Sequence, residues 1–506
     1  MHAVKSAARV LSRLSAAALL LLAAAFGSGA CRQAPAPAAQ AMAAATGEQP
    51  GAATLRVPRR HIARLEVDPF LDELQRRTFR WFWDTTNTAN GLVPDRWPTP
   101  SFSSVAAVGF GLTAVPIGAE HGWISRAQAA ERVLVTLRLL CDAPQGPDAA
   151  GMTGYRGFFY HFVDMTTGAR YRDVELSTVD STWLLAGVLF CQSYFDSDDP
   201  EEAEIRSLAD EIFRRVEWTW AQPRPPLVTM GWTPEHGFHD LDWRGYDESM
   251  MVYILALGSP THPIDPAAWP AFTSTYTWGS LYGYEHVAFA PLFGHQFTHA
   301  WIDFRGIRDA YMAGRGIDYA ENTRRATLGQ RAYAIANPAG FAGYGADVWG
   351  LTACDGPGDF TATVDGHTVT FMSYAARGVS ATEVRDDGTI APYAAACSLP
   401  FAPEVAIPAL KAMHERWGEH LWTDYGFVDA FNPTLNFAHP GIRFGRLVAG
   451  IGWFNTDYLG IDQGPLVLMV ENYRSGLVWQ VMRRNPYVVA GLRRAGFTGD
   501  WLADVP

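Results

Sequence analysis

Three stretches of this sequence place carboxylates where a helix is about to begin. Paired carboxyl groups can do acid–base chemistry, one giving a proton while the other takes one or attacks. In Arg172-Asp-Val-Glu-Leu-Ser-Thr-Val-Asp180, Ser177 and Asp180 have capping-box spacing, with Asp in place of the preferred Glu. Asp180 is therefore either a helix cap or an acid of a site. Glu175 lies outside the helix, has no capping duty and is the better candidate for chemistry. In Gly245-Tyr-Asp-Glu-Ser-Met-Met251, Asp247 reads as an N-cap and Glu248 as the first helical residue. The helix dipole would then favour the ionised form of Glu248, which suits a base or a ligand-binding carboxylate. In Asn455-Thr-Asp-Tyr-Leu-Gly-Ile-Asp-Gln-Gly-Pro465, Asp457 is a loop carboxylate, Asp462 is a cap or a site acid, and Pro465 fits a first helical turn.

Other chemistries are poorly supported. His295-Gln-Phe-Thr-His299 has histidines four apart, but Gln296 stands where a zinc protease carries Glu, so no metal is expected and the histidines should bond sugar hydroxyls or backbone. A nucleophile elbow and a phosphate-cradling loop are both missing from the sequence. Long segments such as Gly231–Phe238, Trp269–Tyr284 and Tyr344–Asp359 combine Trp, Tyr, Gly and acids. Aromatic faces with polar edges, next to carboxylates, suit a carbohydrate.

The elements that must carry these residues are mostly helices. Helical spacing of apolar residues predicts helices over 69–84, 103–117, 126–141, 178–194, 202–220, 248–257, 296–311, 318–335, 403–416, 464–481 and 486–494. Residues 361–371 alternate instead and predict a hairpin turning at Asp365-Gly366. No Pro/Gly/Ser-rich linker interrupts the chain after residue 54, so residues 54–506 are read as one all-α domain, a closed toroid of paired helices. If the inner helices all begin at one rim, the acids converge there. With 40 Lys+Arg against 52 Asp+Glu and a net charge of -12, a nucleic-acid partner is not expected.

Before this domain, Lys5, Arg9 and Arg13 precede an apolar run, Leu14 to Phe26, and small residues lead to Cys31. Residues 1–30 read as a signal peptide and 31–53 as an Ala/Pro-rich tether. Small residues before Cys31 resemble a lipobox. The expectation is an exported chain, lipid-anchored through Cys31 in the bacterial outer membrane and facing the periplasm. Cys141 and Cys191 are expected to be buried thiols. Cys354 and Cys397 lie in loop-like sequence where a disulfide is permitted.

Several ordered blocks then resemble the bacterial glycoamylase domain of glycoside hydrolase family 144. They are Gly157-Phe-Phe-Tyr-His-Phe162, Glu175–Asp180, Gly245–Glu248, Trp349-Gly-Leu-Thr-Ala353, Asp387-Gly-Thr-Ile-Ala-Pro392, Tyr425-Gly-Phe-Val-Asp-Ala-Phe-Asn-Pro433, Ile461–Pro465 and Glu471-Asn-Tyr-Arg-Ser-Gly476. The resemblance spans about 70–495. It implies an (α/α)6 barrel and a β-1,2-glucanase, endo-acting or releasing sophorose, that inverts the anomeric centre and uses no metal or cofactor. Cys354 stands where the pattern leads one to expect Ser, and the segment 360–385 is longer than typical. Carried onto this chain, the resemblance implies catalytic carboxylates Glu175 and Glu248, with Glu175 favoured as proton donor, and essential acids Asp180 and Asp462. Sugar contact or binding is implied for His161, Trp243, Tyr246, Asp247, Trp278, Trp349, Asp457 and Arg474, with loop packing the alternative for the aromatic ones. A monomer acting on β-glucan oligosaccharides is expected. Hydrolysis of another linkage on the same barrel, or glycan binding without turnover, are the rival readings.

Overall fold

The computed structural model describes residues 68–505. The signal peptide, the tether, Cys31 and the start of the domain at residue 54 lie outside the described residues.

Helices of two kinds alternate along the chain. α1 (Pro69–Thr85), α3 (Arg126–Asp142), α5 (Pro200–Arg214), α10 (Tyr319–Ala336) and α12 (Pro403–Leu421) bury one side and show charges on the other. α2 (Val105–Glu120), α4 (Thr178–Tyr194), α6 (Met250–Gly258), α11 (Pro392–Cys397) and α13 (Gly460–Arg474) are buried nearly all round. A helix that is apolar on every side has to be inside. The inner helices pack on one another in the order α6, α4, α2, α13, α11. Residues 293–300, made of α8 (Phe293–Gln296) and a 3₁₀ turn at Thr298–Ala300, complete the set. Gln296 donates to the Ala394 carbonyl of α11, and the Thr298 hydroxyl donates to the Glu248 carbonyl just before α6. Outside them, α1 and α3 lie on α2, α5 on α4, α12 on α11, and α15 (Pro486–Arg494) on α6.

The tightest contact joins α2 and α4. A Cβ on Gly187 would lie 2.1 Å from the Gly109 carbonyl oxygen, so both glycines are needed for the backbones to come this close. The chain enters α2, α4, α6, α11 and α13 from long loops (86–104, 143–177, 215–249, 337–391, 422–459) and returns from α2, α4 and α11 through the short segments 121–125, 195–199 and 398–402. Long loops and inner-helix N-termini therefore share one rim. Arg96-Trp97 pairs with Tyr458-Leu459, and Leu176-Ser177 with Gly231-Trp232, tying neighbouring loops together.

Several expected elements differ. The helix expected over 296–311 is broken: Trp301, Ile302 and Phe304 are buried in irregular chain, Asp303 accepts from Arg305, and Gly306 has φ +76° before α9 (Ala310–Arg315). α5 stops at Arg214 instead of reaching 220. α13 starts four residues earlier than expected, which puts Pro465 inside it, and ends at Arg474; Gly476 (φ +68°) separates it from α14 (Leu477–Met482). α7 (Ala268–Thr273), α11, where the sequence reads as a loop, and α16 (Asp500–Asp504) were not anticipated. The expected hairpin forms from Phe360–Val364 and His367–Phe371, with Asp365 and Gly366 both at positive φ as a two-residue turn needs. All four cysteines of the described residues are free thiols. The Cys354–Cys397 bridge is not made: Cys354 lies beside Arg377, and Cys397 closes α11. Cys141, in the last turn of α3, is only half-buried.

Candidate active site

Two groups of carboxyls sit at the loop-rich rim. The first surrounds His161, which leaves its strand-like segment stacked on Phe162. Its Nδ1 is 2.8 Å from Glu175 Oε1 and its Nε2 is 3.5 Å from Asp180 Oδ1. The backbone repeats the link, since the His161 N–H donates to the Glu175 carbonyl. Burial opposes a charge on the imidazole, but Asp180 and Glu175 overcome it and push His161 up to about 10, so it is a cation at neutral pH. The same pairing acts on Glu175 in reverse. Burial would raise its pKa, His161 outweighs burial, and the group ends below the usual carboxylate range. Asp180, in the first turn of α4, is buried and raised by desolvation, against the pull of His161 and a hydrogen bond from the Ser177 hydroxyl. Ser177 also caps α4 by accepting from the Asp180 N–H.

Glu248 completes this group and differs from what the sequence suggested. Ser249 is the N-cap of α6, and Asp247 accepts from the Ser249 N–H and hydroxyl. Glu248 therefore stands in a turn before the helix rather than at its first position. Dipole stabilisation does not decide its charge. Burial, then Asp180 and Asp247, push it up to about 8, and it holds a proton at neutral pH. Asp247 rises to about 6, chiefly through burial.

The second group lies around α13. Asp355 accepts from Arg96 at 2.8 Å and from Asn455 at 3.0 Å, and its backbone N–H donates to Asp429 Oδ2 at 2.7 Å. Asp462, in the first turn of α13, is 1% exposed. Neither of its oxygens, nor Asp429 Oδ1, has a hydrogen-bond partner among the described residues. Burial and then Asp355 raise Asp429, and burial and then Asp429 raise Asp462. Asp457 accepts from the Thr99 N–H and lies 3.6 Å from Arg96, fixing the 95–99 segment.

Tyr374 joins the two groups. Its ring is 43% exposed, yet its hydroxyl lies in the field of Asp462, Asp429, Glu248 and Asp355. Both groups therefore act on one tyrosine hydroxyl. The segment carrying Tyr374 is clamped from below by Arg377, which is fully buried. Arg377 donates to both oxygens of Asp387 and to the carbonyls of Cys354, Met372 and Ser373. Asp359 accepts from the Ser373 N–H and hydroxyl at the foot of the hairpin.

Some expected sugar contacts belong elsewhere. Both ring nitrogens of His161 face carboxylates. The Trp243 indole N–H is spent on the Thr178 hydroxyl. Tyr246 is buried, its hydroxyl accepting from Asn322 and facing His295. Trp349 is 1% exposed and belongs to the core. Arg315 covers a face of Trp278. Arg474 closes α13, about 18 Å along the axis from Asp462 at 1.5 Å per residue, and donates to Gln75 and Asp72 at the opposite rim. His295 and His299 are core residues, both driven down to about 3 by burial. His295 faces the Phe289 carbonyl and Tyr246, and His299 faces Thr323. Among the described residues no cluster of three or more metal-type ligands occurs. Sequence reasoning missed Asp95, Arg96, Asp355, Tyr374 and Asp429. Asp355 and Asp429 do fall inside segments it singled out, Tyr344–Asp359 and Tyr425–Pro433.

Comparison with known proteins points the same way. The Glycoamylase family, described as "putative glucoamylase", matches residues 240–486. A crystal structure of a "putative glucoamylase" from Bacteroides uniformis is 32% identical, covers 86% of this chain and 99% of its own, and superposes with a TM-score of 0.72. An endo-β-1,2-glucanase from Chitinophaga pinensis, solved with sophorotriose and glucose, is 27% identical over 86% of this chain and 100% of its own, with a TM-score of 0.72. An exo β-1,2-glucooligosaccharide sophorohydrolase (non-reducing end) from Parabacteroides distasonis is 28% identical over 463 residues, 84% of this chain. This chain spans 58% of that relative's length.

Proposed function

Because the chain belongs to the bacterial glycoamylase-domain family, we propose that it is a glycoside hydrolase that cleaves β-1,2-glucan or its oligosaccharides with inversion, and that Glu248 is the proton donor. What supports this is that Glu248, Asp355, Asp429 and Asp462 all act on the Tyr374 hydroxyl, and that burial with Asp180 and Asp247 pushes Glu248 up to about 8. The donor role passes from Glu175 to Glu248 on physical grounds. His161 keeps Glu175 ionised, whereas Asp180, Asp247 and burial keep the proton on Glu248.

In the proposed reaction Glu248 gives its proton to the glycosidic oxygen as the bond to the anomeric carbon breaks. A water attacks that carbon from the opposite face and passes its proton to Asp462. An inverting pair needs roughly 6.5–9.5 Å between carboxyls to admit this water. Asp180 and Asp247 supply the negative field that raises Glu248, while His161 keeps Glu175 ionised. Asp247 and Asp457 shape the loops on either side, and Tyr374 is the aromatic residue placed to meet a sugar.

The helical ring is read as an (α/α)6 barrel, with residues 293–300 as the sixth inner element. Its support is the alternation of inner and outer helices and the likeness to the glucanase structures. The N-terminal signals support an exported lipoprotein anchored through Cys31 at the periplasmic face of the outer membrane, and the chain is read as a monomer without a cofactor. Fold alone does not fix linkage. The test is incubation with linear β-1,2-, β-1,3-, β-1,4- and α-1,4-glucans, with NMR of the first-formed anomer. Cleavage confined to the β-1,2 chain with inverted product is expected. Oligosaccharide binding without turnover, or full activity in Glu248→Gln, refutes the proposal.

A further inference from the structure

His161 joins two of the site's carboxyls, yet its polar contacts alone do not fix its ring. Nδ1 lies 2.8 Å from Glu175 Oε1, a normal hydrogen bond, but Nε2 lies 3.5 Å from Asp180 Oδ1, too far for one. A single hydrogen bond leaves an imidazole free to turn about it, and turning would carry Nε2 away from Asp180. The face of the ring supplies the missing constraint. His161 stacks on Phe162 with centroids 3.8 Å apart and planes 23° from parallel. Phe162 meets Phe102 at 4.3 Å, and Phe102 meets Tyr171 at 4.6 Å. Two rings cannot share one face of Phe162 at such separations, so His161 and Phe102 lie against opposite faces and Phe162 is wedged between them.

The backbone sets this row of rings. Phe102 precedes the short strand Ser103-Ser104, which pairs with Phe162-Val163, and the Tyr171 N–H donates to the Phe162 carbonyl. The His161 carbonyl accepts from the N–H of Val105, the first residue of α2. The charged groups facing His161 are Asp180, Glu175 and Asp95, and Glu248 also feels its charge.

We propose that Phe162 is a positioning residue for His161: its ring, backed by Phe102, holds the imidazole in the plane where one nitrogen meets Glu175 and the other meets Asp180. The inference deepens the hydrolase reading and rests on it for any effect on turnover. The face of an aromatic ring is its negative side, so the stack also favours the charged imidazole that keeps Glu175 ionised.

Phe162→Leu keeps an apolar side chain and removes the ring. His161, followed by ring 1H–13C NMR and assigned against His161→Phe, should then titrate roughly half a pH unit lower or more. In the same variant kcat on β-1,2-glucan should fall roughly threefold or more, with KM within about twofold. Phe162→Tyr keeps the aromatic face and should bring both readouts back toward wild type. An unmoved titration in Phe162→Leu, or Phe162→Tyr as impaired as Phe162→Leu, overturns the proposal. Wild-type protein supplies a readout that needs no variant. The ring current of Phe162 should shift the carbon-bound ring protons of His161 upfield, and both ring N–H protons should exchange slowly with water. Unshifted protons, or N–H signals lost to rapid exchange, overturn it. These spectra are taken without substrate, so a chain that fails to cleave glucan would still decide the role of Phe162.

Discussion

The two acid groups that act on Tyr374 neutralise charge in different ways. Around His161 a cation does it: Glu175 is ionised, His161 is protonated, and the excess negative field falls on Glu248, which keeps its proton. Around Asp462 the cation Arg96 is paired with Asp355 and flanked by Asp95 and Asp457. Among the described residues Asp429 and Asp462 have no ion pair of their own, and burial raises both. The contrast shows that burial alone does not assign a carboxyl its role. What matters is whether the nearest partner is a base, a cation or another acid.

Breaking the donor should have the largest effect. Glu248→Gln is expected to lower kcat on β-1,2-glucan roughly a thousandfold, inside the span of general acid catalysis, with KM little changed in steady-state assays. Asp462→Asn should cost roughly a hundredfold in the same assay, since water can still attack without its base. His161→Phe sharpens the comparison, because it removes the cation from the first group only. It should lower kcat roughly tenfold and destabilise by on the order of 2 kcal/mol, measured by denaturant unfolding, by leaving two carboxylates unpaired.

The pH dependence follows from the same groups. A donor must be protonated, so kcat/KM should decline above about pH 8 as Glu248 ionises. Between its ordinary 4.5 and its native value of about 8, the folded chain binds a proton that the unfolded chain lacks. Stability from this group therefore falls as pH rises through that window. His161 has the opposite charge type: its contribution is complete below about 6.5 and is lost as pH climbs through about 10. The smallest effect is predicted at the far rim. Arg474→Met should leave kcat within twofold while lowering stability, because Arg474 bonds Asp72 and Gln75 rather than substrate.

Much of the scaffold was legible because local signals agreed with tertiary packing. α4 spans the predicted 178–194, where Ser177 caps a run buried from Thr178 to Cys191, and α15 spans 486–494, where Asn485 caps and Pro486 starts the helix. The 301–304 run misled because its apolar residues have helical spacing yet are buried in chain held by Asp303, Arg305 and Arg483. Within the site, Glu175, Asp180, Glu248 and Asp462 could be recognised as acids at helix entrances. The charge of Glu248 could not, because one residue decided it: with Ser249 as cap, Glu248 leaves the helix and its dipole. Asp429 and Asp355 lie 74 residues apart in irregular loops, so no periodicity announces their hydrogen bond. Arg474 misled by its motif, since a fifteen-residue helix carries its two ends to opposite rims.

Arg377 gives its loop a fixed base. With Asp387 and three carbonyls locked beneath it, Tyr374 and Asp355 are held in register. The ribbon beyond this base has two faces: Val369 and Phe371 lie in the core, while Thr361, Thr363, Thr368 and Thr370 are exposed. The threonine face can therefore be rewritten without loosening the base, whereas a change at Val369 would reach the core.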